Sequence, residues 1–293
     1  MSSIQPGILS PAPPLARYLE FSLIHSADPR SVLEVFCDEL DTGSTVVGLG
    51  QSLVQQLKTN INGLRTFPAQ VHESVEIPST PMALWCWLKG DDRGELLHRS
   101  RKITKILAQA FKLENTIDAF MYGESQDLSG YIDGTENPVD TAAVEAAIVS
   151  GQGKGLDGSS FVAVQKWIHD LDMFDSFSTD KRDNTIGRRI SDNEEIDEAP
   201  ESAHVKRTAQ ESFVPEAFVV RRSMPWANDA QQGLVFVAFG HSFDAFEVLL
   251  NRMTGNEDGI QDALFSFTHP LSGNYFWCPP VRNNKLDLSY LKI

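Results

Sequence analysis

Three short stretches of this sequence gather residues that could do chemistry. In GYIDGTENP, Asp133 sits within a tight-turn signal, since Asp-Gly favours a turn and Asn-Pro closes it. Read alone, the stretch is a turn. Read functionally, it holds a carboxylate on a loop whose glycines allow a ligand close approach, as an acid–base group requires. His204 lies about 70 residues later in APESAHVKRT, after an acidic run and ahead of what reads as a strand. One axial imidazole is enough to hold haem iron, although sequence physics alone does not single out this histidine from His25, His72, His98, His169, His241 and His269. Seventeen residues after His204, VVRRSMPW ends an apolar run with Arg221 and Arg222. Such a pair commonly has one buried and one exposed member, and a buried arginine can act as a fixed positive charge in a pocket.

Other chemistries find no footing. There is no HExxH or HxH pair for zinc. Cys37, Cys86 and Cys278 are odd in number and widely spaced, which argues against a disulfide framework or a CxxC metal site. No CxxCH is present to attach a haem covalently. GQGKG at 151–155 lacks the GxxxxGK[ST] form of a phosphate cradle. With 40 acidic and 25 basic residues among 293, the net charge is −15, which argues against nucleic acid and anionic membrane surfaces as partners. No apolar run approaches the roughly 18 residues of a membrane span. The N-terminus lacks a basic start followed by an apolar core, so a reduced, cytoplasmic protein is expected.

The elements that must position these residues follow a repeated pattern. Strands are expected at 18–24, 45–49 and 82–88, with helices at 29–40 and 95–113. The first 15 residues, rich in proline, read as a loose arm. The second half repeats the pattern: strands at 161–168 and 233–240, a strand or its end at 218–221, a helical stretch at 172–179, and an amphipathic helix at 242–253. A small-residue helix at 141–149 lies between the halves, and the acidic run at 191–201 reads as a solvated loop. Strands mixed with packed helices, without regular βαβ spacing, indicate an α+β chain of duplicated architecture.

GYIDGTENP matches the GxxDG signature of dye-decolourising peroxidases, and APESAHVKRT and VVRRSMPW follow that family's order and spacing. LVFVAFGHSFDAFEVLLNRM and NYFWCPP also resemble its C-terminal half. The resemblance runs from about residue 15 to 280 and is nearest the compact bacterial cytoplasmic subgroup, class B or P-type. It implies two ferredoxin-like domains, each an antiparallel sheet with helices, at 1–140 and, for haem binding, 141–293. It implies non-covalent haem b with His204 as metal ligand, Asp133 and Arg221 as catalytic residues on the peroxide side, and Arg188 near the haem propionates. Arg221 and Ser223 are further cofactor contacts; Ser223 stands where the family has an asparagine, and its hydroxyl reaches less far. Asp262 is a candidate partner for the second nitrogen of His204, with Glu247 as competitor. The implied activity is reduction of hydrogen peroxide with oxidation of dyes and phenols, bulky dyes giving up electrons through aromatic side chains at the surface. The alternative is a haem-handling protein that stores or delivers haem or releases its iron. A homodimer or larger assembly is implied. The tail KLDLSYLKI is read as a packing strand or, less simply, as a docking peptide for an encapsulating shell.

Overall fold

The structure is a computed structural model that describes residues 3–25, 27–72 and 75–293. The first half supplies β1 (Leu15–Leu23), α1 (Arg30–Glu39), β2 (Thr45–Leu49), β3 (Leu84–Gly90), α2 (Arg93–Leu107) and β4 (Phe111–Phe120). Its strands pair antiparallel in the order β2-β3-β1-β4. After α3 (Asp140–Ala147), the second half supplies β5 (Ser160–His169), α4 (His204–Arg207), β6 (Met224–Ala227), β7 (Gln232–Gly240), α5 (Asp244–Met253) and β8 (Asn274–Cys278). These strands pair in the equivalent order β6-β7-β5-β8. Each half is thus a ferredoxin-like unit. Ala119 of β4 pairs with Trp226 of β6, and Trp277 of β8 with Leu49 of β2, so the two sheets close into one antiparallel barrel.

Strand alternation sorts the core. Tyr18, Trp85, Trp87, Trp226, Phe239 and Phe276 fill the barrel interior, whereas the intervening Leu19, Leu84, Cys86 and Leu88 face the helices outside. Both faces of β2, β3 and β8 are therefore buried, which is why these strands read as continuous apolar runs.

Four expectations need correction. The helix expected to reach residue 113 ends at Leu107, and Phe111–Phe120 is a strand. The four-residue step from Leu107 to Phe111 mimics helical spacing, and most of the strand's other side chains are exposed or only partly buried and polar. The proline-rich arm is anchored: Gln5 is buried and bonds the backbone of Val47 and Pro279. His204 opens a helical turn rather than preceding a strand. The stretch expected at 172–179 splits into helices Leu171–Ser176 and Thr179–Ile186. The tail forms a short strand, Lys285–Leu286, and a single turn, Ser289–Leu291, with Leu286, Leu288 and Leu291 buried in the core.

Candidate active site

His204 is the first residue of the one-turn helix α4. Arg207 anchors that turn: its guanidinium makes a fork to Asp258 at 2.8 and 2.7 Å and also bonds the carbonyl of Arg252. The preceding helix ends at Gly187 (φ +94°), where an added Cβ would stand 2.2 Å from Val205 Cγ2. Only glycine permits both that conformation and that approach to the residue after His204. His204 Nδ1 lies 2.8 Å from Asp262 Oδ2, and the other oxygen of this fully buried carboxylate accepts from the Leu264 amide. With Nδ1 engaged, Nε2 is the nitrogen left for the cleft, and the carboxylate behind the ring fixes the ring's orientation. Glu247, the competing candidate, is held instead by Arg65 at 2.9 and 2.7 Å and by the Tyr275 hydroxyl.

The Asp133 loop is tied to the Arg221 strand. The Asp133 amide bonds the Ser125 carbonyl, and Gly134 (φ +82°) leaves room for Asn137, whose Nδ2 an added Cβ would meet at 2.7 Å. Asn137 then spans to Arg221, accepting from its amide at 2.7 Å and donating to its carbonyl at 3.1 Å. Gln210 joins the same loop by donating to the Glu136 carbonyl and accepting from the Val219 amide. Asn137→Ala should therefore cost about 1–3 kcal/mol, by loss of two hydrogen bonds at a half-buried strand. Urea melts would show this, together with slower peroxide reduction as Arg221 loses its anchor.

Asp133, His204 and Arg221 all line one cleft, which encloses roughly 730 Å³ of space free of protein atoms, its open mouth included. Its walls are mainly apolar, formed by Leu234, Phe236, Phe246, Leu249, Leu250 and Met253. Among the described residues, none accepts a hydrogen bond from the Arg221 guanidinium, and its Nε is buried without a partner, as is Gln165 Nε2 in the same wall. The Arg221 side chain as a whole is half-buried, and Asp133 lines the same cleft without pairing to it. Mainly apolar walls, an imidazole with one nitrogen uncommitted, and polar groups left without protein partners together fit a haem.

Arg188 does not line this cleft; it is buried beside an adjoining cavity that also touches Asp133, His204 and Arg221, and its guanidinium meets Glu136, Glu195 and the Asn193 carbonyl. Ser223 does not line the main cleft. It stands in a small side cavity that also touches Asp133, and its Oγ accepts from the Val237 amide at 3.4 Å. The sequence reading missed Asn137, Gln210, Gln165 and His169. Asn137 lay in a quoted motif but read as a turn residue, and nothing local marks the others.

His169 lines the cleft with Nε2 3.0 Å from Asp127 Oδ2 and Nδ1 2.6 Å from Thr268 Oγ1. Burial raises the Asp127 carboxyl, but the bond and charge of His169, with those from Ser129, outweigh it and hold the group below the ordinary carboxylate range. A depressed carboxylate contributes stability above its unfolded value near pH 4 and loses it as pH falls through the folded value. Acid melts should accordingly steepen below about pH 4, and Asp127→Asn should flatten that region while lowering stability at neutral pH.

The family described as Dyp-type peroxidase, C-terminal, matches residues 124–283. A dye-decolorizing peroxidase of Rhodococcus erythropolis is 30% identical over 80% of this chain and 72% of its own length. Among solved structures, a dye-decolorizing protein from V. cholerae superposes with TM-score 0.81 at 25% identity, covering 98% of both chains. A DypB variant from Rhodococcus jostii RHA1, in complex with heme, does so with TM-score 0.83 at 25% identity, covering 94% of this chain and 96% of its own. With a match over more than half its length, and this relative across most of it, the chain belongs to the Dyp-type peroxidase family.

Proposed function

We propose that this haem peroxidase reduces hydrogen peroxide in the cleft of Asp133, His204 and Arg221 and draws electrons from organic reductants such as phenols and dyes. The observation that carries the reading is the Arg221 guanidinium, left without a protein partner in the same apolar cleft as an imidazole backed by a buried carboxylate. His204 would ligate the iron of a non-covalent haem b, with Arg221 as a further contact. Arg188 would meet it from the adjoining cavity, and Ser223 would stand beside Asp133. When bound, the haem supplies the two-electron reductant of the peroxide bond. Asp133 takes a proton from one peroxide oxygen and returns it to the other, acting as a positioned acid–base. Arg221 stabilises the negative charge that grows on the departing oxygen.

Storage or delivery of haem would need no acid–base group in its cleft, so the presence of Asp133 and Arg221 together favours turnover. The test is the absorption spectrum of purified protein before and after one equivalent of peroxide. A Soret band that shifts, then returns on adding a phenol, is the expected result. A band indifferent to peroxide would overturn the peroxidase reading in favour of haem handling.

We further propose a division of the chain into units at 1–140 and 141–293, following the two strand sets. A cytoplasmic location accords with three free, buried cysteines. Among the described residues no helix is long and apolar enough to cross a membrane. A homodimer or larger assembly is proposed from the resemblance.

A further inference from the structure

His169 ends β5 in the wall of the cleft, in line with Gln165 and Trp167, and its ring is buried. It stands in a chain of three short contacts. Asp127 Oδ2 lies 3.0 Å from Nε2, Nδ1 lies 2.6 Å from Thr268 Oγ1, and Thr268 Oγ1 lies 2.8 Å from the Ile168 carbonyl oxygen. Each contact needs one hydrogen between its two atoms. The Thr268 hydroxyl brings one hydrogen and a neutral imidazole brings one. The third is an added proton, which makes the ring an imidazolium against the Asp127 carboxylate. Thr268 follows Phe267, whose ring is 5.8 Å away; Gln232 of β7 donates to the His169 carbonyl; and Asp170 turns away to cap the next helix at the Met173 amide. Among the described residues, Asp127 is the one charged group bonded to the ring, and Asp133, His204 and Arg221 share the cleft beyond it.

Asp127 belongs to the loop that carries Asp133. Backbone bonds knit residues 122–133 into one unit: the Gln126 amide donates to the Tyr122 carbonyl at 2.8 Å, the Asp127 amide to the Tyr131 carbonyl at 2.8 Å, and the Asp133 amide to the Ser125 carbonyl at 2.9 Å. A shift at Asp127 is therefore felt at Asp133. Two side-chain bonds tie this unit to later parts of the chain. The Tyr131 hydroxyl donates to Asp183, on the helix Thr179–Ile186, and Asp127 accepts from His169, on a barrel strand. The second tie alone anchors the loop to the sheet that also bears the cleft wall.

We propose that His169 is a positioning residue for Asp133: as an imidazolium it clamps Asp127, and with it the loop, so that the Asp133 carboxylate is set in the cleft, an inference that rests on the peroxidase reading. Loss of the added proton leaves three contacts with two hydrogens. It also leaves the Asp127 carboxylate, 16% exposed, without its countercharge. A poorly solvated carboxylate in that state is costly, so the clamp slackens. Asp133 then loses its setting, and misplacement of a reacting group slows the step it serves. Peroxide reduction accordingly falls on the alkaline side.

The clamp is read in haem-loaded protein by hydrogen–deuterium exchange of the 122–133 amides, corrected for intrinsic rates, and by stopped-flow rates with peroxide, both from about pH 6 to 10. In the parent, exchange should rise and the peroxide rate fall together on the alkaline side, each about tenfold, the worth of one hydrogen bond. Two conservative variants should erase that limb by different routes. In Asp127→Asn the amide donates to Nε2 of a neutral imidazole; in Thr268→Val a neutral imidazole places its one hydrogen on Nε2. Neither needs the added proton, so in both, exchange and rate should change less than about twofold across the range. Asp127→Ala, which removes the bond itself, should exchange fast and react slowly at every pH. Exchange and rate that stay flat in the parent, a parental limb in Asp127→Asn or Thr268→Val, or parental loop exchange in Asp127→Ala would overturn the proposal. Failure of the peroxidase reading is seen separately, as a parent protein that takes up no haem or does not respond to peroxide, because the exchange limb is read without peroxide.

Discussion

His204→Ala should purify without a Soret band. Among the described residues, the imidazole is the only histidine ring in the cleft that keeps a nitrogen free for a ligand, because both nitrogens of His169 are engaged by Thr268 and Asp127. Removing it also strips Asp262, a carboxylate with no exposed surface, of a hydrogen-bond donor. Leaving a buried carboxylate short of a donor costs about 1–3 kcal/mol, so a lower melting temperature should accompany haem loss. Two companions separate ligand loss from misfolding. Free imidazole, entering the space left by the ring, should restore a Soret band to His204→Ala. Asp262→Asn keeps the ligand and the shape but removes the charge behind it, and should weaken haem binding by about 10–100-fold. A normal haem spectrum and full turnover in His204→Ala would reject the assignment.

Much of the barrel was legible because its strands are buried on both faces. LWCWL in β3 and GLVFVAF in β7 leave little choice but a strand bounded by turns, and amphipathic α1 and α5 follow from spacing alone. β4 was illegible because its sequence, FKLENTIDAF, carries polar side chains on the outer face and begins in phase with the helix before it. Closure of the barrel rests on pairings such as Leu49 with Trp277, which no local pattern encodes. The site divides the same way. Asp133, His204 and Arg221 stand in recognisable stretches, but resemblance rather than periodicity assigned their roles. Their supports come from far along the chain: Asp262 lies 58 residues after His204, and Arg221 lies 84 after Asn137. Turn chemistry accounted for Asn137 so completely that its second task, fixing the Arg221 backbone, left no trace in the sequence.

Arg221→Ala should leave the fold and haem uptake largely intact while slowing the reaction with peroxide about 10²–10³-fold, the usual cost of removing a donor aimed at developing negative charge. Stability is spared because the strand is held through the backbone: Asn137 grips its amide and carbonyl, and Ala238 pairs with it across β7. The guanidinium contributes no bond to any described residue, so truncating it breaks none, and the half-buried side chain gives up little packing. Stopped-flow mixing with peroxide reads the effect directly, since the later oxidation of phenol involves other groups. Arg221→Lys retains the charge but not the planar fork, so its rate should fall between the two. Asp133→Asn should slow the same step about 10²–10⁴-fold by removing the proton acceptor, and the double variant should lose less than the sum of the two, because both groups act on one transition state. Parental rates in Arg221→Ala would show that the charge in this cleft serves haem binding alone, and haem affinity would then have to fall in its place.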